Sequence, residues 1–395
     1  MEKLIYMDNA ATTSTAPEVV SAMLPFFTEY YGNPSSVYNF AQKSKMAIED
    51  AREIIADSIG AAKSNEIYFT GGGSESDNWA LKSAAFGLRD KGNHIITTKI
   101  EHHAILNTCA YLEKNGFEVT YLDVDSEGFV SLEDVENAIT EKTILISVMF
   151  ANNEIGTIEP VCEIGEIAHK HGILFHTDAV QAMCHVPINV TEMNIDLLSA
   201  SAHKFHGPKG VGFMYMKNSA KLEPFIHGGA QERARRAGTS NVPGIVGMGQ
   251  AVKLALSTLD KDTHTIINMR NYIVDRILGE IPDVTFDGPC IDANAVSAGS
   301  AAGSLKRLPS NMHFCFKDVS GDSLLIMLDM NGICASSGSA CAAGSIDPSH
   351  VLLAIGRSKG ETKGALRLSI DKDLTKEDAD YAIDALKAAV ARLRR

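Results

Sequence analysis

The feature that most constrains this chain is a repeated alternation. Through the first two-thirds, short apolar runs trade places with longer stretches of helical periodicity. The runs fall at 66–70, 94–98, 118–122, 143–150, 174–177, 197–201 and 212–216, and the helical patterns at 43–59, 75–88, 103–115, 131–139 and 161–171. Such alternation predicts an α/β fold, a parallel sheet covered by helices. Runs that are apolar throughout suit strands buried on both faces. After a Pro243-Gly244 turn, a helical pattern at 262–280 leads to a second region, with strands near 312–316 and 365–369. It ends in a helix at 375–394, acidic near its start and arginine-bearing at its end, as the helix dipole favours. The expected organisation is a large domain over 15–260 and a smaller α+β domain made of 1–14 and 261–395.

Composition narrows the function. At 395 residues the chain can bury a large core. A formal net charge of −13 argues against nonspecific nucleic-acid binding and against an anionic membrane surface. The first residues do not read as a secretory signal. Apolar runs such as 143–151 fall short of the roughly 20 residues that span a bilayer. Seven cysteines, odd in number and without a Cys-x-x-Cys pair, fit free thiols in a reducing cytoplasm. One segment stands apart: ten of the twelve residues at 293–304 are Ala, Gly or Ser, which predicts a mobile loop.

Open α/β sheets bind ligands outside the carboxyl ends of their strands. Gly71, Glu101-His102, Asn152-Asn153, Asp178 and His203-Lys204 all follow the predicted strands. Each has an ordinary reading too. The glycines of Gly71-Gly72-Gly73-Ser74 allow close approach of an anion to helix-start N–H groups and the Ser74 hydroxyl; otherwise Ser74 only caps the helix. A buried Asp178 needs a cationic partner; otherwise it caps a helix, with Gln181 completing a capping box. Lys204, between a strand end and the Gly207-Pro208 turn, is poorly placed for a solvated helix face, whereas Lys209 reads as a surface lysine. Ser201 and His203 flank Lys204 as donors to a phosphate. His102 either lies over an aromatic ring and relays protons or is a loop histidine. Arg367, a charge in an apolar strand, calls for an anion: a ligand carboxylate held by two N–H groups, or an internal acid. Cys341 sits among the small residues from Ser336 to Gly344, which gives its sulfur the access a reactive thiol needs. Cys334 reads as core, and the cysteines at 109, 162, 184, 290 and 315 as structural.

A lysine for a Schiff base and an aspartate for a protonated pyridine nitrogen are the requirements of a pyridoxal phosphate (PLP) site. Ten segments carry a closer likeness: Tyr6 to Thr13, Gly32 to Ser36, Gly73 to Asn78, Glu101-His102, Asn152 to Gly156, Asp178 to Gln181, Ser201 to Lys204, Arg235 to Thr239, Ser336 to Gly344, and Arg367. In this order they resemble the class V branch of fold-type I PLP enzymes, and within it the cysteine desulfurases of the NifS/IscS type, group I. The resemblance implies a large domain with a mostly parallel seven-stranded sheet and a smaller α+β domain carrying the cysteine loop. It implies conversion of L-cysteine to L-alanine, with the sulfur taken by Cys341 as a persulfide and passed to an iron–sulfur scaffold or a sulfur carrier. Lys204 would carry the cofactor, Asp178 would hold its ring nitrogen, and His102 would stack on the ring. Gln181 and Asn153 would lie near its phenolate oxygen and the substrate. Gly73, Ser74, Ser201 and His203 would hold the phosphate, joined by Thr239 from the other subunit of a homodimer. Arg367 would grip the substrate carboxylate. No metal is implied.

The chain departs from that pattern in three places. Gly73-Ser74 stands where the family usually has Ala-Thr, which keeps a hydroxyl. Tyr38 stands where a histidine often follows Asn33-Pro34-Ser35-Ser36, and residues 293–304 read as an insertion. Selenocysteine lyase, another class V aminotransferase-type enzyme, and a scaffold without activity are the competing readings. Retained Lys204, Asp178, Arg367 and Cys341 argue against the scaffold.

Overall fold

A computed structural model of the chain describes residues 4–220, 222–290, 305–338 and 348–395. Two expectations, the nucleophile Cys341 and the loop at 293–304, lie outside the described residues. The strands are β1 (Ile5–Tyr6), β2 (Ile67–Thr70), β3 (His94–Thr98), β4 (Glu118–Leu122), β5 (Thr143–Ser147), β6 (Leu174–Asp178), β7 (Leu197–Ser201), β8 (Gly212–Met216), β9 (Val284–Phe286), β10 (Asn311–Phe316), β11 (Ile333–Cys334) and β12 (Ala365–Ser369). Seven of them form one sheet in the order β2-β8-β7-β6-β5-β3-β4. Only β8 runs against its neighbours; the pairs from β7 through β4 are parallel. Every residue of β2, β3, β5, β7 and β8 is buried. That is why these runs are apolar on both faces. β4, at the sheet edge, is only part-buried and carries exposed Glu118.

A smaller sheet has the order β12-β10-β9 and is antiparallel. Met312, Phe314 and Phe316 of β10 join a core with Leu366, Leu368 and the closing helix Lys376–Leu393. That helix starts on Thr375, whose hydroxyl accepts the Asp378 N–H at 3.1 Å. Ile5 and Met7 return to this same core through the parallel pair of β1 with β11. The first residues of the chain thus reach the region of the last.

One sequence expectation is corrected here. Pro243-Gly244 is not a turn before a helix but lies within the first turn of the helix Val242–Glu280. Proline is tolerated there because the N–H it lacks has no partner in a first helical turn. Asn241 caps the helix, its Oδ1 accepting the Gly244 N–H at 3.1 Å. The helix is long and apolar enough to cross a membrane by length and composition, and its packing accounts for that apolarity. Ile245, Met248 and Val252 join the large core, while Ile266, Ile273 and Ile277 join the small one. It runs unbroken through residue 260.

Candidate active site

Five strand ends of the central sheet point the same way, and the segments that leave them meet. β2 leads to the glycine turn, β3 to His102, β5 to Asn153, β6 ends on Asp178, and β7 leads to Lys204. They enclose a cavity of about 320 Å³ whose wall includes Gly73, Ser74, His102, Asn153, Asp178, Gln181, Ser201, His203, Lys204 and Arg367. Gly338, the last described residue before Cys341, is on the same wall. Thr239 is not: it is exposed on a separate segment.

The glycine turn makes one end. Gly72 holds φ at +149°, which an L side chain rarely adopts, and it precedes the helix Gly73–Gly87. A Cβ on Gly212 would meet the Gly72 Cα at 2.8 Å, so β8 presses on the turn from behind. Ser74 does not cap this helix; it lies in the first turn, and no side chain caps the start. Uncapped N–H groups at a helix start suit an anion. His203 Nδ1 lies 3.1 Å from the Thr12 hydroxyl. Burial, with the charges of Lys204 and Lys209, pushes its pKa down to about 4, so the ring is neutral at pH 7. An open cleft beside this end reaches Thr12, Lys209 and Gly210. Lys209 is exposed, as read from the sequence, and lies at the rim of this cleft.

Lys204 closes a short 3₁₀ turn, Ala202–Lys204, directly after β7. Its Nζ donates to the carbonyls of Ala10 at 2.7 Å and Ala11 at 2.8 Å. Gln181 Nε2 donates to the same Ala10 carbonyl at 3.0 Å. The N-terminal segment therefore covers the site. Asp178 is the last residue of β6, and its Oδ1 accepts the Val180 N–H at 2.9 Å. It caps a turn and not a helix. Burial raises its pKa, opposed by His102, that hydrogen bond and Lys204. His102 accepts the Ala104 N–H on Nδ1 at 3.1 Å, and burial lowers its pKa.

Three neighbours of Asp178 were given no role from the sequence, though Glu101 was noted there as a polar residue following a strand. Asp77 and Glu101 are buried acids whose pKa values burial pushes well above the carboxylate range, with Asp178 adding negative charge beside both. His176 lies between the Ser147 hydroxyl at 2.9 Å and the Ser199 hydroxyl at 3.0 Å, and burial pushes it down to about 3. His176 is therefore neutral at pH 7, and burial favours the protonated form of both acids. The signals existed: an acid just past a strand end, another on the helix after the glycine turn, and a histidine inside an apolar strand. Asp77, His102 and Asp178 each bring one atom within 4.8 Å of the others. Oδ1 of Asp77 has no hydrogen-bond partner among the described residues. The donor set fits pyridoxal phosphate. Anion donors stand at one end, an acid for a ring N–H at the other, and an amine lies between.

Arg367 forms the remaining wall. It is 1% exposed and donates to the carbonyls of Asn153 and Gly338 and to Asp8 Oδ1. The loop holding Asn153 is built by its neighbour. Asn152 Oδ1 accepts the N–H groups of Glu154 at 2.8 Å and Ile155 at 3.0 Å. At the end of the loop, buried Glu159 accepts the Val130 N–H, and burial pushes its pKa up to about 8. The unfolded chain ionises the group near pH 4.3. Between those values the folded chain holds the extra proton, so stability falls as pH rises through that window. Glu159→Gln keeps the acceptor for Val130 and removes the titration. It is expected to flatten the loss of Tm between pH 6 and pH 9. An unchanged slope in thermal scans would refute the assignment.

The basic segment before Thr239 is satisfied by its own chain. Arg236 pairs with Glu75 at 2.8 Å, Arg233 donates to the Ile67 carbonyl at 2.7 Å, and Arg235 to the Leu222 carbonyl. The cysteine readings are corrected in part. Cys109, Cys184 and Cys315 are buried, but Cys162 and Cys290 are exposed and Cys334 is only half-buried. Cys162 lies in the first turn of its helix on the solvent side, a position that periodicity alone did not separate from core.

The family model for aminotransferase class V matches residues 5–382. Cysteine desulfurase IscS of Clostridium botulinum is 54% identical over 394 residues, covering 100% of this chain and 96% of that protein. A solved NifS-like protein superposes with a TM-score of 0.89 at 36% identity, over 99% of this chain and 100% of that one. A structure of SspA in complex with cysteine gives 0.78 at 38% identity, over 93% and 99%. The match to the family model runs through every strand of the central sheet and both ends of the cavity, and the chain belongs to the class V aminotransferase family.

Proposed function

We propose that this chain is a cysteine desulfurase that uses PLP to convert L-cysteine to L-alanine and collects the sulfur on Cys341 as a persulfide. The observation that supports this most is the joining of Lys204, Asp178 and Arg367 on one cavity wall. An amino-acid enzyme needs those three groups together. When bound, the cofactor supplies an electron sink that acidifies the Cα–H of an attached amino acid.

The protein groups do the rest. Lys204 would hold the cofactor, and its amine would be placed to take the Cα proton. Arg367 fixes the carboxylate and so aims that proton. Asp178 would keep a proton on the ring nitrogen, and burial, which favours the protonated forms of Asp77 and Glu101, lessens the negative charge facing it. Gly73, Ser74, Ser201 and His203 would hold the phosphate, His102 would pack on the ring, and Gln181 and Asn153 would orient the cofactor oxygen and the substrate. The Cys341 thiolate bonds to the substrate sulfur as the C–S bond breaks. The electron pair stays on carbon, which is protonated to the alanine methyl. The test is a mass spectrum after mixing with cysteine. It should show one added sulfur on the peptide containing Cys341 and alanine in solution; pyruvate in place of alanine, with no added sulfur, would refute the reading.

The finer assignments follow from the same reading. The sulfur acceptor is an iron–sulfur scaffold or a sulfur-carrier protein, and the location is the cytoplasm. The working unit is a homodimer. Exposed Phe27, Tyr31, Val37, Tyr38 and Phe40 cluster within a short stretch of chain and support a surface that a second copy covers. Thr239 from that copy reaches the phosphate. Sedimentation is expected to give a dimer, and Thr239→Ala to weaken PLP binding about tenfold, the worth of one hydrogen bond to a charged group. A monomer with full PLP occupancy would contradict this.

A further inference from the structure

Four of the five N–H groups of buried Arg367 can be followed one by one. Nη1 donates to the carbonyls of Asn153 at 3.0 Å and Gly338 at 3.2 Å. Nη2 donates to Asp8 Oδ1 at 2.7 Å. Nε has no hydrogen-bond partner among the described residues. An unpaired buried N–H of this kind is costly. The incomplete edge is therefore Nε with Nη2, an edge able to take a carboxylate by two parallel hydrogen bonds. One of its two nitrogens is already serving Asp8.

Asp8 is held there by its backbone. It bridges Ser369 of β12, two residues from Arg367. The Asn9 N–H and side chain both donate to the Ser369 carbonyl, at 3.2 and 2.9 Å, and the Ala10 N–H donates to the Ser369 hydroxyl at 2.8 Å. The Asp8 side chain is 19% exposed against 1% for Arg367. It neutralises a guanidinium that would otherwise be a lone buried charge. A second carboxylate on the same guanidinium faces it as a like charge, which is unfavourable.

We propose that Asp8 is the resident counter-carboxylate of Arg367, with which the carboxylate of the substrate competes, so that Asp8 sets the affinity of the cavity for α-carboxylate ligands. This rests on the reading of Arg367 as the group that binds the substrate carboxylate. Asp8 is a positioning residue: it acts on the ligand through Arg367. Ligands that carry one carboxylate meet the competition once, and ligands without a carboxylate do not meet it.

The test uses the PLP-loaded protein and two probes. 3-Mercaptopropionate has the carboxylate and thiol without the amine; cysteamine has the amine and thiol without the carboxylate. Asp8→Asn keeps an oxygen acceptor for Nη2 and removes the charge. It is expected to tighten 3-mercaptopropionate, measured by calorimetry, about tenfold, as removal of a like charge beside a binding carboxylate permits. KM for cysteine should fall in proportion with kcat within about twofold, and cysteamine binding, followed by cofactor absorbance, should not change. Asp8→Ser, also neutral, should act alike, so a folding defect in one variant does not decide. Asp8→Glu keeps the charge and should show no gain. Unchanged or weaker 3-mercaptopropionate binding in the neutral variants overturns the proposal, as does an equal shift for cysteamine. The underlying reading fails separately if Arg367→Ala binds 3-mercaptopropionate as tightly as the parent.

Discussion

Replacing Lys204 with alanine is expected to give a folded protein that borohydride cannot fix to PLP. Lys204 is the lysine on the cavity wall, opposite Asp178, and its Nζ is held in place by the carbonyls of Ala10 and Ala11. Loss of two hydrogen bonds at a part-buried site costs about 1 kcal/mol each, which a two-core chain should survive. The phosphate donors Ser74, Ser201 and His203 are untouched, so PLP should still bind, though more weakly. Turnover of cysteine should fall by at least about a thousandfold, because both the covalent anchor and the Cα base are gone. The measurements are cofactor absorbance and intact mass after borohydride treatment. A retained protein–PLP bond would sink the assignment, and its location would show which lysine, Lys209 at the rim first, had been misjudged.

The second large effect separates sulfur transfer from cofactor chemistry. Cys341→Ala should fold, bind PLP and take up cysteine, since Lys204, Asp178 and Arg367 remain. It should then stall, with alanine formation down by at least about a thousandfold and no added sulfur on the protein. Cys334→Ala is the control. Cys334 of β11 pairs with Tyr6 of β1 and is half-buried, so its loss should cost some stability and little activity. Exposed Cys162 and Cys290 give a second check. If mass spectrometry finds the sulfur on either of them in the parent protein, or if Cys341→Ala turns over at the parental rate, the nucleophile has been wrongly chosen.

The central runs, buried on both faces, announce a sheet between helices, because such a strand has no other stable place. Boundaries were legible where a strand or helix ended against a glycine or a polar cluster. The start of Val242–Glu280 was not, since a proline reads as a break unless its place in a first helical turn is known. Chemistry was legible where a residue type was out of keeping with its surroundings: a lysine before a Gly-Pro turn, an arginine in an apolar strand, an aspartate ending one.

What the chain by itself determined, then, was the layered fold and the identity of the reactive groups, because local periodicity and residue chemistry are properties of short stretches. Only the tertiary structure decided which groups meet. Strand order brings Asp77, Glu101 and His176 behind Asp178, where burial disfavours the charged form of each. The pairing of β1 with β11 carries Asp8 across the chain to Arg367. The sequence left open whether that arginine serves a ligand or an internal acid. The fold gives it Asp8 and leaves Nε without a partner among the described residues. Contacts between residues more than 350 positions apart depend on how sheets stack and not on any local pattern.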